Sequence, residues 1–285
     1  MKTVKSTLVI ALSALLLTAC GDNKPAETKT EVSTQTQAEQ VSTVDLSAET
    51  AEYKKWVEGQ MDGLVTDTEK FVSLLKAGKT DEAKALYPLV RMYFERSEPI
   101  AESFGDLDPR IDNREADLEK DEKWTGFHAI EKILWTKNTT KGTEMLADQL
   151  LADTKELRAK IPTAEVTPDL MIQGAVDLLN EVTTTKITGE EEIFSKTDLY
   201  DFKANIEGAQ KIFQILTPKI EAKNPELVAD LKVKFAEVHA LLDVHKINEQ
   251  HYKDYDELSK DEIKALAEAV NKLGEPLAQM GVVMQ

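Results

Sequence analysis

From about residue 46 onward, apolar residues recur every three or four positions. Tyr53, Trp56, Val57, Met61, Leu64, Phe71, Leu74 and Leu75 follow a 3.6-residue period, and Gly78 offers a stop. Thr167-Pro168 and Asn224-Pro225 each place a capping residue before a proline suited to the first helical position. After Asn224 the series Leu227, Leu231, Phe235, Val238, Leu242 continues the helical spacing. Ser259 with Glu262 forms a capping box ahead of Ile263, Leu266, Val270 and Leu273. No stretch alternates with the period of a strand. The spacing predicts about eight helices, at roughly 48–77, 81–104, 124–136, 142–160, 168–186, 198–216, 225–248 and 260–274. The expected fold is all-α. About 240 residues exceed one four-helix bundle, so two tandem four-helix bundles are expected, at 46–162 and 163–285.

The first residues follow different rules. Lys2 and Lys5 precede an apolar run, Thr7 to Leu17, of signal-peptide length and too short to span a membrane. It ends in Leu17-Thr18-Ala19-Cys20. Small residues before a cysteine resemble a bacterial lipobox, so residues 1–19 read as a lipoprotein signal peptide and Cys20 as the lipidated N-terminus. Residues 20–45, rich in Thr, Ser, Gln, Glu and Lys and without an aromatic residue, cannot build a core and read as a disordered tether. Such a coil spans roughly 25–30 Å. The expected location is the cell envelope or periplasm, on a membrane through a lipid anchor.

This assignment narrows the chemistry. Cys20 is the single cysteine, so no disulfide forms in the fold and no thiolate remains for a metal. A metal site would use carboxylate, imidazole, carbonyl or water, which favours hard or borderline ions. Without Lys2 and Lys5 the chain carries 33 Lys and Arg against 52 Asp and Glu, formally −19. That charge argues against nucleic acid and anionic membrane surfaces as ligands and suits cations.

Three stretches could hold a cation. Glu95, Glu98 and Glu102 share one helix face in YFERSEPIAESFGDLDP, where Pro99 invites a kink. In GFHAIEKILW, His128 and Glu131 stand three apart, so both project from one face of an apolar, buried helix. A buried glutamate needs a partner or a metal, and a His128–Glu131 salt bridge meets that need as well as a metal does. In ITGEEEIFSKTDLYDF, Glu190, Glu191 and Glu192 repel one another unless a cation or bases lie near. They could also simply complement a helix N-terminus. His245 extends an apolar series and reads as a core histidine, while His239 and His251 have no acidic partner at a telling spacing. A zinc peptidase needs a second histidine near the first, and position 132 is lysine.

The segments YFERSEPIAESFGDLDPRIDNREAD, WTGFHAIEKILW and ITGEEEIFSKTDLYDFKANIEGAQ together resemble the imelysin-like family, in particular its EfeO/EfeM-type iron-uptake lipoproteins. The resemblance covers nearly all of 46–285. It implies two helical bundles and a metal-binding role in an elemental iron uptake system. Ferrous or ferric iron would be captured in the envelope and passed to a membrane iron permease, in company with a haem peroxidase of the dye-decolourising type. Carried over onto this sequence, it implies metal ligands at His128 and Glu131, at Glu95, Glu98 and Asp112, and at one of Glu190 to Glu192, with Glu191 preferred. The ion would lie in the cleft between bundles. Zinc, manganese or copper(II) fit the same ligands. Longer family members begin with a cupredoxin domain that this chain lacks, so copper-linked oxidation of iron is not expected. A metal-dependent surface peptidase is the alternative activity that the resemblance carries, and the missing second histidine tells against it.

Overall fold

The structure, a computed structural model, describes residues 44–284. The segment expected as a signal peptide, the lipidation expected at Cys20 and nearly all of the expected tether therefore lie outside the described residues. Ten α-helices run in order: α1 Ser47–Lys76, α2 Thr80–Glu95, α3 Glu98–Ala101, α4 Leu107–Asp112, α5 Gly126–Lys137, α6 Glu144–Lys160, α7 Pro168–Thr184, α8 Asp198–Lys223, α9 Pro225–Asp243 and α10 Lys260–Met284. Among the described residues the only extended pairing is one isolated bridge between Lys246 and Tyr252. The fold is all-α.

The caps act as their sequences dictate. Thr167 accepts from the amide of Leu170 at 3.1 Å, and Asn224 from that of Leu227 at 3.0 Å. Ser259 and Glu262 exchange the two bonds of a capping box. Five features differ from the sequence expectation. The helix expected over 81–104 breaks after Glu95, because Pro99 has no N–H to offer the Glu95 carbonyl four residues back and its ring crowds it; Asn205 donates to that carbonyl instead, at 3.1 Å. The gap left between the helices expected over 81–104 and 124–136 holds α4, whose Leu107 and Ile111 are buried. α10 runs on through Gly274 and Pro276 because Leu273, Leu277, Met280 and Met284 keep the buried stripe going. α8 likewise passes Pro218 to reach Ile220, while α9 stops at Asp243.

Packing follows the buried stripes. α1 lies against α2 and α6, and α5 against α6 and α4. α7 lies against α8 and α10, and α9 against the same two helices. α2 also packs on α8, and the short α3 on α7, so one continuous apolar core runs through the described residues. Within the stripes of α2, α5 and α8, polar side chains take core positions: Arg91 and Glu95 on α2, His128 and Glu131 on α5, Asp198, Asp201 and Asn205 on α8. These interruptions meet.

Candidate metal centre

α2 brings Arg91 to the centre of the meeting point, fully buried. Its guanidinium is paired with Glu95 one turn along the same helix and with Asp112 at the end of α4. It also lies 2.5 Å from Glu192, 3.4 Å from Asp201 and 3.8 Å from Glu191. Below it, the ring of Phe127 lies 5.7 Å away and packs against Tyr87, whose hydroxyl donates to Glu192 at 3.3 Å. A second buried cation, Lys186, comes from the 3-10 turn Lys186–Thr188 after α7. Its ammonium stands 3.1 Å from Glu191 and 3.2 Å from Glu95, with Glu98 and Glu181 each at 3.9 Å.

His128 faces the same cluster. Its Nδ1 is 3.3 Å from Glu131 Oε2. Its Nε2 has no hydrogen-bond partner, although it is buried, and points between Asp112 at 3.7 Å and Glu191 at 3.8 Å. The other oxygen of Glu131 accepts from the amides of Phe194 and Ser195 at 3.0 and 2.7 Å, which ties α5 to the segment before α8. Asn205 donates to Glu98 at 2.8 Å and to Glu95 at 3.2 Å. Ligand atoms gather closely in three overlapping sets: Asp112, His128 and Glu191; His128, Glu131 and Glu192; Glu95, Glu98 and Asp112. A cavity of about 190 Å³, walled by Glu98, Asp112, Arg114, Lys186 and Glu191, opens from the cluster to solvent.

Residues 49–280 match the Imelysin family, which carries a peptidase designation. The chain belongs to the imelysin family. An EfeM/EfeO family lipoprotein of Staphylococcus haemolyticus is 51% identical over 286 residues, covering 99% of both chains. One from Staphylococcus aureus strain MSSA476 is 51% identical over 245 residues, 85% of this chain and 86% of the relative. Within the imelysins the chain is therefore of the EfeM/EfeO type. A solved structure described as a putative iron-regulated protein A precursor from Parabacteroides distasonis shares the fold, with a TM-score of 0.66 at 14% identity over 86% of this chain and 97% of the other.

In this imelysin chain, all six side chains singled out by the sequence converge: Glu95, Glu98, Asp112, His128, Glu131 and Glu191. Of the three consecutive glutamates, Glu191 and Glu192 both turn inward and Glu190 is exposed. The expected repulsion among them is relieved by Arg91, Lys186 and Arg114, the last 3.4 Å from Glu191. The other imidazoles lie elsewhere. His239 bonds Gln210, His251 bonds the hydroxyl of Tyr200, and His245 is a core residue whose Nδ1 has no hydrogen-bond partner, 3.7 Å from Glu262.

Sequence reasoning missed Arg91, Lys186 and Asn205, and it marked Glu192, Asp198 and Asp201 only as part of an acidic stretch. The available signal was a charged residue inside an apolar stripe. Arg91 stands four before Glu95, and Asp198, Asp201 and Asn205 follow three and four apart on one face of α8.

The electrostatics are dominated by excess negative charge. Eight buried or nearly buried carboxylates (Glu95, Glu98, Asp112, Glu131, Glu191, Glu192, Asp198, Asp201) surround two buried cations, Arg91 and Lys186, and one imidazole. Burial, then Glu95 and Glu181, push Glu98 well above the carboxylate range. Burial and Glu131 do the same to Glu192. Burial also raises Asp201 strongly against the pull of Arg91, and raises Asp198 to about 6. Glu191 goes the other way, since Lys186, His128 and Arg91 overcome burial and hold it well below the usual range. Burial and Arg91 oppose a charged His128, yet Glu192, Glu131 and Glu191 outweigh them and keep it protonated well above the imidazole range. Chemically, the arrangement is a buried, oxygen-rich basket with one nitrogen donor and protons to give up to an incoming cation.

Proposed function

We propose that this chain is a metal-binding lipoprotein of an iron uptake system, which captures iron in the cell envelope and passes it to a membrane permease. The observation that carries the reading is the buried Nε2 of His128. It has no hydrogen-bond partner and is aimed between Asp112 and Glu191 inside a cluster with surplus carboxylate. A cation there supplies the missing partner and offsets the surplus. Glu95, Glu98, Asp112, His128, Glu131 and Glu191 are the proposed ligands, and the absence of thiolate favours ferrous or ferric iron over soft ions. Zinc, manganese and copper(II) compete for the same donors.

The word lipoprotein in the names of the EfeM/EfeO relatives supports lipidation, which would fall at Cys20; a tether over 20–45 and a haem peroxidase alongside the permease complete the proposed setting. Among the described residues no helix is long and apolar enough to cross a membrane. The peptidase designation of the family supports a second reading, hydrolysis at the cluster. Against it, His128 is the one imidazole at the cluster, where a zinc peptidase needs a second histidine near the first.

Titration of the purified protein with ferrous and ferric iron tests the proposal. Stoichiometric binding is expected, lost when Glu95, Glu98, His128 and Glu131 are replaced together by alanine. His128→Gln alone should lower affinity at least about tenfold. Unchanged affinity in both variants refutes the site, and chelator-sensitive cleavage of peptides would favour the second reading.

A further inference from the structure

The cluster holds two buried cations, and the fold holds them differently. Arg91 rises from the middle of α2, is gripped by Glu95, Asp112 and Glu192, and rests on the Phe127 ring. A planar guanidinium fixed from several sides has little freedom to leave. Lys186 sits on a three-residue turn between α7 and the glutamate segment. Its ammonium is a point charge on a flexible four-carbon stem. It contacts Glu191 and Glu95 at 3.1 and 3.2 Å, with Glu98 at 3.9 Å, and it also forms part of the wall of the solvent-reaching cavity.

Those three carboxylates are half of the ligand set proposed above. A metal ion and an ammonium cannot share them, because two cations at such spacing in a poorly screened interior repel strongly. We propose that Lys186 is a built-in competitor for the cation: its ammonium holds the position that the ion needs among Glu95, Glu98 and Glu191. On uptake it swings into the cavity, and on release it returns. The inference rests on the reading of the cluster as a cation site. The cavity suits the exchange, since Asp108, Asp117, which is paired with Arg114, and Glu181, already 3.9 Å from the ammonium, share its lining and keep a displaced ammonium beside carboxylates. The consequence is a site that is never left with its full carboxylate charge uncompensated and that binds less tightly than its donors alone would allow, as a protein that must hand its cargo on requires.

Zinc alone, a redox-inert probe, serves for the test on the full chain. Lys186→Met removes the charge and keeps an apolar stem, and it should bind zinc about tenfold or more tightly than the wild type. Lys186→Arg keeps the charge and should bind no more tightly than the wild type. Equal or weaker zinc binding by Lys186→Met overturns the proposal. A second measurement needs no variant. Acylation of Lys186 by an amine-reactive ester, resolved by peptide mass spectrometry, should speed up severalfold in the zinc-saturated wild type, and an unchanged or slower rate overturns the proposal. Absence of zinc uptake by the wild type would instead overturn the cation-site reading, and this inference with it.

Discussion

Asp198 shows most simply what burial does to a charge here. Its Oδ1 accepts the amide of Glu192 at 3.1 Å, its other oxygen has no hydrogen-bond partner, and its acidity is shifted from 3.8 to about 6. A raised folded-state value means that the native protein keeps a proton which the unfolded chain has lost. The associated stability is complete below pH about 4, is lost as pH rises through about 6, and amounts to about 3 kcal/mol. Asp198→Asn keeps the accepting oxygen and removes the titration. It should therefore be more stable than the wild type at pH 7.5, with the difference vanishing near pH 4, as denaturant titrations at the two pH values will show. Arg91→Met is the opposite case. It strips a fully buried cation from carboxylates that stay behind, and it should cost roughly 3–5 kcal/mol in the same assay. His128-x-x-Glu131 was visible in the sequence as a pair on one face, but whether it was a salt bridge or a ligand pair was not. Both atoms of contact are present, and the deciding feature, the unpartnered Nε2, depends on residues from α4 and the segment before α8. Spacing within one helix carries no information about those distant elements.

At the scale of elements, the site depends on the approach of α4 to α5. Gly126 opens α5 with φ +87°, and a Cβ there would lie 2.2 Å from the carbonyl oxygen of Ile111. Gly126→Ala must therefore either strain the backbone or push α4 away, and Asp112 would move with it, away from His128. The expected result is a loss of at least about 2 kcal/mol in stability together with weaker metal binding, seen by thermal melting and titration of one sample. Gly208 plays a related part where α8 crosses the end of α2, since a Cβ there would lie 2.7 Å from the carbonyl oxygen of Arg96. The long helices were legible because burial stripes and caps are local signals. The break at Ser97 and the helix α4 were not, because both depend on what packs against them: Leu107 and Ile111 supply only two buried apolar positions, too few to reveal a period.

Across the whole molecule, the proposed uptake of a cation would be coupled to protons and to stability. Glu98, Glu192, Asp201 and His128 all hold protons above their ordinary ranges, and an ion displaces some of them. Affinity should fall on acidification, with at least one proton released per ion, measurable by calorimetry in buffers of different ionisation enthalpy. A ligand at a hundred times its Kd stabilises the fold by about 2.7 kcal/mol, so metal loading should raise the melting temperature by roughly 5–10 °C, reversed by chelation. The same donor set has a chemical consequence for cells that meet mixtures of metals. Nitrogen donors widen the affinity gap between manganese or iron and copper, whereas oxygen donors narrow it. With Glu131 held by two backbone amides on one oxygen and by His128 on the other, the imidazole is oriented so that only Nε2 reaches the basket. A cargo with one nitrogen in its coordination sphere is thus sorted weakly by intrinsic affinity. Abundance at the surface and acceptance by the next protein in line would then decide which element travels.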